Sequence, residues 1–168
     1  MRYPVAVMAR SRQADLGDDP LQLDRQVCFA LAVASRTVVS LYRPLLEPLG
    51  LTHPQYLVML ALWERSPRSV KDVSAAIELD SATLSPLLKR LEAVGYVTRT
   101  RNPADERQLT LELTPAGRAL RRRALAIPYA VVERLGIDVD DLLDLHARLT
   151  VVIAAATRAN QLNGSRPG

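Results

Sequence analysis

The chain has 168 residues, of which 48% are hydrophobic, and this length is typical of one domain with a core of its own. Its formal net charge of +4 fits a polyanionic partner but is weak support for one. A single cysteine excludes an internal disulfide, and no apolar run approaches the roughly 18 to 20 residues of a membrane span, so we expect a cytoplasmic protein without a membrane segment.

The first 47 residues divide into an irregular segment and a predicted helix. Residues 1–20 show no apolar period, and we expect a disordered arm there. At about 24–47, apolar residues recur at three- and four-residue steps, which predicts a long helix. We expect Asp24 to cap this helix and Pro44 and Pro48 to close it.

Cys28 is the only cysteine, and it lies in the first turn of the predicted helix. A helix N-terminus favours negative charge, so a thiol placed there is expected to ionise more readily. The alternative is that Cys28 is a small buried hydrophobe, as free cysteines often are.

The middle of the chain changes its period from 3.6 to 2, which indicates helices followed by strands. This order of helix, turn, helix and hairpin predicts a winged helix-turn-helix at about 54–113. The fold class expected is mainly α with a small β-hairpin wing. The elements are, in chain order, helices at about 54–64, 70–76 and 81–94, a strand at 96–101, a polar turn at 102–107 and a strand at 109–113.

The last third of the chain is predicted to be helical. Thr114 is a good cap for a helix that begins with Pro115, and Pro128 should bend that helix. After Gly136, a last helix opens on an acidic stretch and carries an apolar stripe close to a heptad repeat. Such a stripe has little of its own domain to cover it and predicts dimerisation.

These elements predict a single domain at 21–160. Two segments of it are the expected dimerisation helices, at about 24–47 and 115–159. The remaining residues, 161–168, are expected to form a disordered tail.

Short polar and basic side chains occupy the predicted exposed side of the 81–94 helix. Hydroxyl groups of this size let a helix approach base edges or phosphates, and cations suit the flanking backbone of DNA. An ordinary amphipathic surface helix would show a similar pattern. The candidate DNA-binding residues are Ser81, Thr83, Ser85, Lys89 and Arg90.

Basic residues also flank the predicted turn of the wing. Arg99, Arg101 and Arg107 surround it, and Asp105 is close enough to Arg107 to orient its guanidinium group. An arginine at a hairpin tip suits a narrow minor groove, where the potential is most negative. The alternative is a solvated charged turn.

A resemblance to the MarR family of bacterial transcription regulators is carried by the segment DSATLSPLLKRLEAVGYVTRTRNPADERQLTLELTPAGRAL, with its DER turn and LTPAG helix start. The segments LDRQVCFALA, LYRPLL and LTHPQYLVMLALWE are similar to the organic-hydroperoxide-sensing branch, often called OhrR. The resemblance spans about Leu23–Leu120. It implies a homodimeric repressor that binds palindromic operator DNA and that organic hydroperoxide releases by oxidising Cys28.

The branch places two tyrosines against the sensing sulfur, and the resemblance implies that Tyr42 is one of them. Fourteen residues separate Cys28 from Tyr42, which is about 21 Å along a straight helix. A Tyr42 that meets the thiol must therefore come from a partner subunit. The alternative for Tyr42 is an interface tyrosine without a redox role.

The position of the second tyrosine is occupied by His53, in the sequence LTHPQY. An imidazole can donate, accept or carry charge, whereas a phenol at neutral pH only donates to a thiolate. His53 near Cys28 could lower the thiol pKa or change how the oxidised sulfur is held. The alternative is a loop histidine that acts as a cap or surface group.

The single cysteine also limits the chemistry that follows oxidation. A sulfenic acid at Cys28 has no resolving cysteine in its own chain, so we expect a mixed disulfide with a low-molecular-weight thiol. No cofactor, metal site or enzyme activity is expected from the motifs. The competing functions are a repressor with a small aromatic ligand, a thiol peroxidase and a winged helix that binds only proteins.

Overall fold

The computed structural model describes residue 19 and residues 21–102 and 105–164, and not the side chains of residues 102, 105–108 and 163–164. The chain divides into two compact units, one that ends at Val38 and one that begins at Val39. Except for Asp19, the arm predicted at 1–20 lies outside the described residues.

The first long helix, α1, spans Val27–Leu46. The prediction that Asp24 caps this helix is wrong, because Asp24 belongs to a separate 3-10 turn at Leu23–Arg25. Gln26 follows that turn in an extended conformation with ψ 115°, and this residue breaks the helical path before α1 begins. The predicted start was therefore three residues early.

The end of α1 also differs from the prediction. Pro44 lies inside the helix, which continues to Leu46. Leu46 is fully buried, and its packing favours the helical last turn although a proline removes one backbone donor. Pro48 lies in a 3-10 turn, and Gly50 then reverses the chain with a φ of 68°.

The segment Val27–Leu49 is long and apolar enough to cross a membrane, judged by length and composition alone, with a mean hydropathy of 1.2. This finding corrects the expectation that no apolar run approaches that length. Arg36 and Arg43 interrupt the run, so a count of uninterrupted apolar residues misses it. Such a helix is weak support for a membrane segment, because exposed apolar faces also arise where protein subunits associate.

The second unit contains the predicted winged helix-turn-helix, with one strand more than expected. Three antiparallel strands form the sheet in the order β1 (Arg68–Ser69), β3 (Asp105–Leu113), β2 (Val97–Asn102). The extra strand is the two-residue β1, which pairs with the far side of β3. The elements are α2 (His53–Glu64), β1 (Arg68–Ser69), α3 (Val70–Ala76), α4 (Ser81–Ala93), β2 (Val97–Asn102) and β3 (Asp105–Leu113).

The strands of the wing are longer than predicted. β2 continues to Asn102 and β3 begins at Asp105, so residues 102 and 105–107 of the predicted turn belong to strands, and residues 103–104 lie outside the described residues. The pairing is irregular between Arg101 and Asn102. The hydrogen bonds between β2 and β3 therefore extend into a polar segment. This segment lacks the alternation of apolar and polar residues by which a strand is predicted.

One core joins the helices of the second unit to the inner face of the sheet. Leu111, opposite Arg99 and Arg68 on the neighbouring strands, is fully buried. Other fully buried large side chains come from the end of α1 and from α2, α3 and α4. They include Leu46, Val58, Met59, Val73, Leu84 and Leu91.

The C-terminal helices are α5 (Pro115–Ala124), α6 (Ile127–Leu135) and α7 (Val139–Gly164). The sequence predicts one helix bent at Pro128, but α5 ends before this residue. Pro128 lies in the first turn of α6, where its missing N–H has no intrahelical partner to lose. The tail predicted at 161–168 is wrong up to Gly164, since α7 continues that far.

Candidate nucleic-acid interface and thiol site

The candidate DNA-binding side chains of α4 lie together on one exposed face. All five predicted residues are exposed, whereas Leu84, Leu88 and Leu91 on the opposite side are at most 2% exposed. The helix is thus held by its apolar stripe and leaves its polar side available for a ligand. The five exposed residues are Ser81, Thr83, Ser85, Lys89 and Arg90.

The start of α4 is fixed by Asp80. One carboxylate oxygen accepts a hydrogen bond from the Thr83 backbone N–H at 2.8 Å, and the other accepts from the Thr83 hydroxyl at 2.8 Å. These bonds hold the pKa of Asp80 below its usual value, chiefly through the Thr83 backbone bond and then the hydroxyl bond. Because the hydroxyl proton of Thr83 is directed at Asp80, Thr83 offers an outside ligand an oxygen lone pair.

The three arginines predicted for the wing do not have equivalent surroundings. Arg99 forms an ion pair with Glu92 of α4, and its Nε donates to the Glu92 carboxylate at 2.7 Å. This hydrogen bond lowers the pKa of Glu92. Arg101 is exposed. Arg99 therefore connects the wing to α4, while Arg101 is available at the surface.

The other two wing residues are described only by their backbone. Asp105 and Arg107 both belong to β3, and their side chains lie outside the described residues. The predicted orientation of the Arg107 guanidinium by Asp105 stays a prediction.

In the first unit, Cys28 is the second residue of α1 and its side chain is exposed. It therefore lies in the first turn of the helix, as predicted. Apolar neighbours on the same stretch are exposed as well, including Val27 at 65% and Phe29 at 39%. A thiol here is accessible to a small oxidant.

In the second unit, Tyr42 and His53 are in contact. Their ring centroids are 5.0 Å apart in an edge-to-face arrangement. His53 is the first residue of α2 and half-buried, so it is not a loop residue as the alternative in the sequence analysis had it. Burial lowers the pKa of His53 from 6.5, and the imidazole is therefore neutral at neutral pH.

Two further aromatic residues, which the sequence analysis did not assign to the site, extend this contact. The Tyr56 ring is 6.0 Å from Tyr42 and 6.2 Å from Trp63, measured between centroids. Burial, and then the neighbouring Tyr42, raise the pKa of Tyr56. Their spacing on α2 at i, i+3 and i+10 from His53 is the signal that places them on one side of the helix.

A pocket of about 320 Å³ opens beside this aromatic cluster. Its walls are mostly apolar, and Arg121 and Glu64 supply charged groups. The indole N–H of Trp63 is not available to a ligand, because it donates to the Gly117 carbonyl at 2.9 Å. Within the described part of the chain, no three His, Cys, Asp or Glu side chains form a group that could hold a metal ion.

The last helix leaves much of its predicted seam uncovered. Leu145 is 50% exposed, Val152 43% and Ile153 49%, while Leu142 and Leu149 are half-buried. An apolar row of this length on one helix is typical of a surface that associates with another protein chain.

Comparison with known proteins identifies a set of transcription regulators. A family profile described as the transcriptional regulator SarA/Rot matches residues 40–123. The HTH-type transcriptional regulator TtmR of Methylorubrum extorquens is 44% identical over 160 residues, which cover 89% of this chain and 80% of that protein. The organic hydroperoxide resistance transcriptional regulator of Bacillus subtilis is 37% identical over 142 residues, which cover 84% and 97%.

Solved structures give the same result. AbfR of Staphylococcus epidermidis has been solved bound to DNA in a reduced and in an overoxidized form. Each of these two structures matches with a TM-score of 0.68 and 32% identity, covering 82% of this chain and 96% of that one.

Proposed function

Since the chain belongs to the MarR family of winged-helix transcription regulators, we propose that it is a homodimeric repressor of palindromic operator DNA that is released when organic hydroperoxide oxidises Cys28. The observation that carries this proposal is the exposed thiol in the first turn of α1, in a chain similar to a regulator of organic hydroperoxide resistance. The protein then acts as a cytoplasmic regulator and not as an enzyme.

DNA recognition is assigned to the exposed face of α4 and to the wing. The side chains of Ser81, Thr83 and Ser85 are short enough to let α4 approach the major groove. The hydroxyls of Ser81 and Ser85 reach base edges or nearby phosphates, and the Thr83 oxygen accepts from an N–H on a base edge. Lys89 and Arg90 contact the backbone. On the wing, Arg101 and Arg107 approach the minor groove, Asp105 orients Arg107, and Arg99 fixes the wing to α4 through Glu92.

Dimerisation is supported by two exposed apolar stretches, one on α1 and one on α7. On α1 the exposed residues include Val27 and Phe29, and on α7 they include Leu145, Val152 and Ile153. Covering such side chains contributes roughly 25 cal/mol for each Å² removed from water. A second copy of the chain is the occupant that the family relationship favours.

The dimer also completes the thiol site. The resemblance to the hydroperoxide-sensing branch implies that Tyr42 meets Cys28, and because fourteen helical residues correspond to about 21 Å, this Tyr42 belongs to the partner subunit. His53 is in contact with Tyr42 within one chain, so it enters the same site. As a neutral imidazole it acts there by hydrogen bonding and not by positive charge.

Cys28 reacts in two steps, an oxidation by the hydroperoxide and a condensation with a thiol. The Cys28 thiolate attacks the outer oxygen of the hydroperoxide, the O–O bond breaks, and the alcohol leaves with a proton, so that the sulfur becomes a sulfenic acid. A low-molecular-weight thiol then attacks this sulfur and expels water, which leaves a mixed disulfide. The added bulk shifts the two α4 helices relative to each other, and half-sites one helical turn apart no longer fit both.

The test measures operator affinity for the wild type and for Cys28→Ser, with and without stoichiometric organic hydroperoxide at fixed salt, because phosphate contacts make affinity salt-dependent. The DNA is a duplex selected from random sequences by the wild-type protein. We expect release only in the wild type. Release that persists in Cys28→Ser, or a wild type that stays bound, would refute the redox function, and catalytic turnover of peroxide would indicate an enzyme.

A second candidate function is a repressor controlled by a small aromatic ligand, with Cys28 in a structural role. The observation that favours it is the pocket lined by Tyr56, Leu60 and Trp63, which offers aromatic walls, with the cation of Arg121 and the carboxylate of Glu64 at its edge. Release of the Cys28→Ser variant from DNA by an aromatic carboxylate, without any oxidant, would support this function over the first.

A further inference from the structure

Arg68, on the edge strand β1, is a buried arginine with incomplete hydrogen bonding. Its side chain is 10% exposed, and one terminal nitrogen contacts the Glu64 carboxylate at 3.0 Å. Among the described residues, its Nε and Nη1 atoms are buried without any hydrogen-bond partner. A guanidinium stays charged at all accessible pH values, so two unpaired buried donors are costly and call for an acceptor.

An open pocket of about 610 Å³ lies beside this arginine. Its wall carries three cations and one carboxylate, so the pocket is net positive. The charged members are Arg65, Arg68, Lys71 and Asp72, and Ser69 and Thr110 contribute hydroxyl groups. Arg65 and Lys71 are exposed and make their charge available to a ligand from solvent.

The single carboxylate does not cancel this charge for a ligand. Asp72 accepts from the Ser69 backbone N–H, and the Ser69 oxygen accepts in return from the Asp72 N–H at 3.0 Å. The pKa of Asp72 is lowered, first by these Ser69 hydrogen bonds and then by the charges of Arg65 and Arg68. Its charge thus compensates only part of the cationic wall.

Two hydroxyl-bearing residues also line this pocket. Ser69 on β1 and Thr110 on β3 are directly paired across the antiparallel ladder, so their side chains lie on the same face of the sheet. Both are half-buried. Forked and point cations together with hydroxyl donors are the groups that proteins use to hold a tetrahedral oxyanion.

We propose that the pocket formed by Arg65, Arg68, Ser69, Lys71 and Thr110 binds a phosphate group. Its source is either a backbone phosphate of the DNA or a free phosphate ion. The first source rests on the proposed function and adds a contact outside α4 and the wing tip. The second would make the pocket a separate ligand site.

The first arm of the test uses inorganic phosphate. We expect the thermal unfolding midpoint of the wild type to rise with phosphate relative to chloride at equal ionic strength. In the surface variant Arg65→Gln/Lys71→Gln, the same rise should need about tenfold more phosphate. The matched control Arg43→Gln/Arg122→Gln removes two exposed charges elsewhere and should respond like the wild type.

The second arm uses the selected operator duplex. Each lost phosphate contact reduces the slope of log affinity against log salt by about 0.9, so the double variant of a dimer should lose about 1.8 while the control keeps the wild-type slope. Arg68→Lys retains the charge but removes the forked donors, and it should weaken binding without this change of slope.

The two arms separate the sources. A changed slope without a phosphate response assigns the pocket to DNA, and a phosphate response without a changed slope assigns it to a free ion. If neither changes between the double variant and its control, the phosphate site is refuted. If the wild type selects no DNA at all, the proposed function fails, and the phosphate titration still decides on the pocket.

Discussion

Gly117 allows the sharpest test of the packing, because two physical effects predict opposite signs for Gly117→Ala. It is buried, and it is the third residue of α5. At a helical position with free space, alanine would stabilise by about 0.5 to 1 kcal/mol, since glycine loses more backbone entropy on folding. Here the new Cβ would lie 2.1 Å from the Tyr96 carbonyl oxygen and 3.3 Å from Leu113 Cδ2.

The structure gives α5 little freedom to move away. The Tyr96 carbonyl accepts from the Thr114 N–H at 3.1 Å, the Thr114 hydroxyl accepts from the Gly117 N–H at 3.0 Å, and the Gly117 carbonyl accepts from Trp63 at 2.9 Å. A shift of more than about 1 Å is needed to restore an ordinary contact distance between the new Cβ and the Tyr96 carbonyl oxygen. Overpacking and loss of one of these bonds together predict a destabilisation of about 2 to 4 kcal/mol.

The assay is thermal unfolding at a fixed protein concentration, because the midpoint of a dimer depends on concentration. A drop of roughly 5 to 15 °C is expected for a chain of this size. The control is Gly136→Ala, where φ is 62° and nothing lies within 4 Å of the new Cβ. That variant should lose only the roughly 1 to 2 kcal/mol of left-handed strain. A Gly117→Ala midpoint at or above the wild type would refute the close approach.

Two further predictions concern the wing and the aromatic cluster. Arg101→Gln should lower the salt slope of operator binding by about 0.9 for each subunit, whereas Arg99→Gln should leave the slope unchanged because Glu92 already pairs with that guanidinium; equal slopes for the two variants would contradict this. Burial lowers the pKa of His53 below 6.5, so only the unfolded chain binds a proton between the two values. The contribution of His53 to stability should thus be constant above about pH 7 and be lost as pH decreases through 6.5. His53→Tyr should reduce this fall in pH-dependent melting, and a fall as large as that of the wild type would contradict the prediction.

Local signals predicted the winged helix well. Asp80 and Thr114 cap their helices through their own side chains, and Gly95 follows α4 with a φ of 83°, so the bounds of these helices could be read from neighbouring residues alone. Helix α3 was likewise predicted at Val70–Ala76.

The features that the sequence did not predict depend on residues distant in the chain. The two residues of β1 have no period of their own and become a strand only because β3 lies beside them. The ion pair between Arg99 and Glu92 connects residues on either side of the turn after α4, and no rule of sequence spacing predicts it. For the candidate site, the exposed face of α4 could be predicted, whereas the contact of Tyr42 with His53 needed the resemblance and then the structure.

The ion pair between Arg99 and Glu92 has a consequence for the thermodynamics of DNA binding. Because it ties the root of the wing to the body of α4, both meet the duplex in a fixed relative orientation. A preorganised surface of this kind loses less conformational entropy on association than a free hairpin would. Discrimination between operators then rests less on adapting each subunit to its half-site and more on the distance between half-sites.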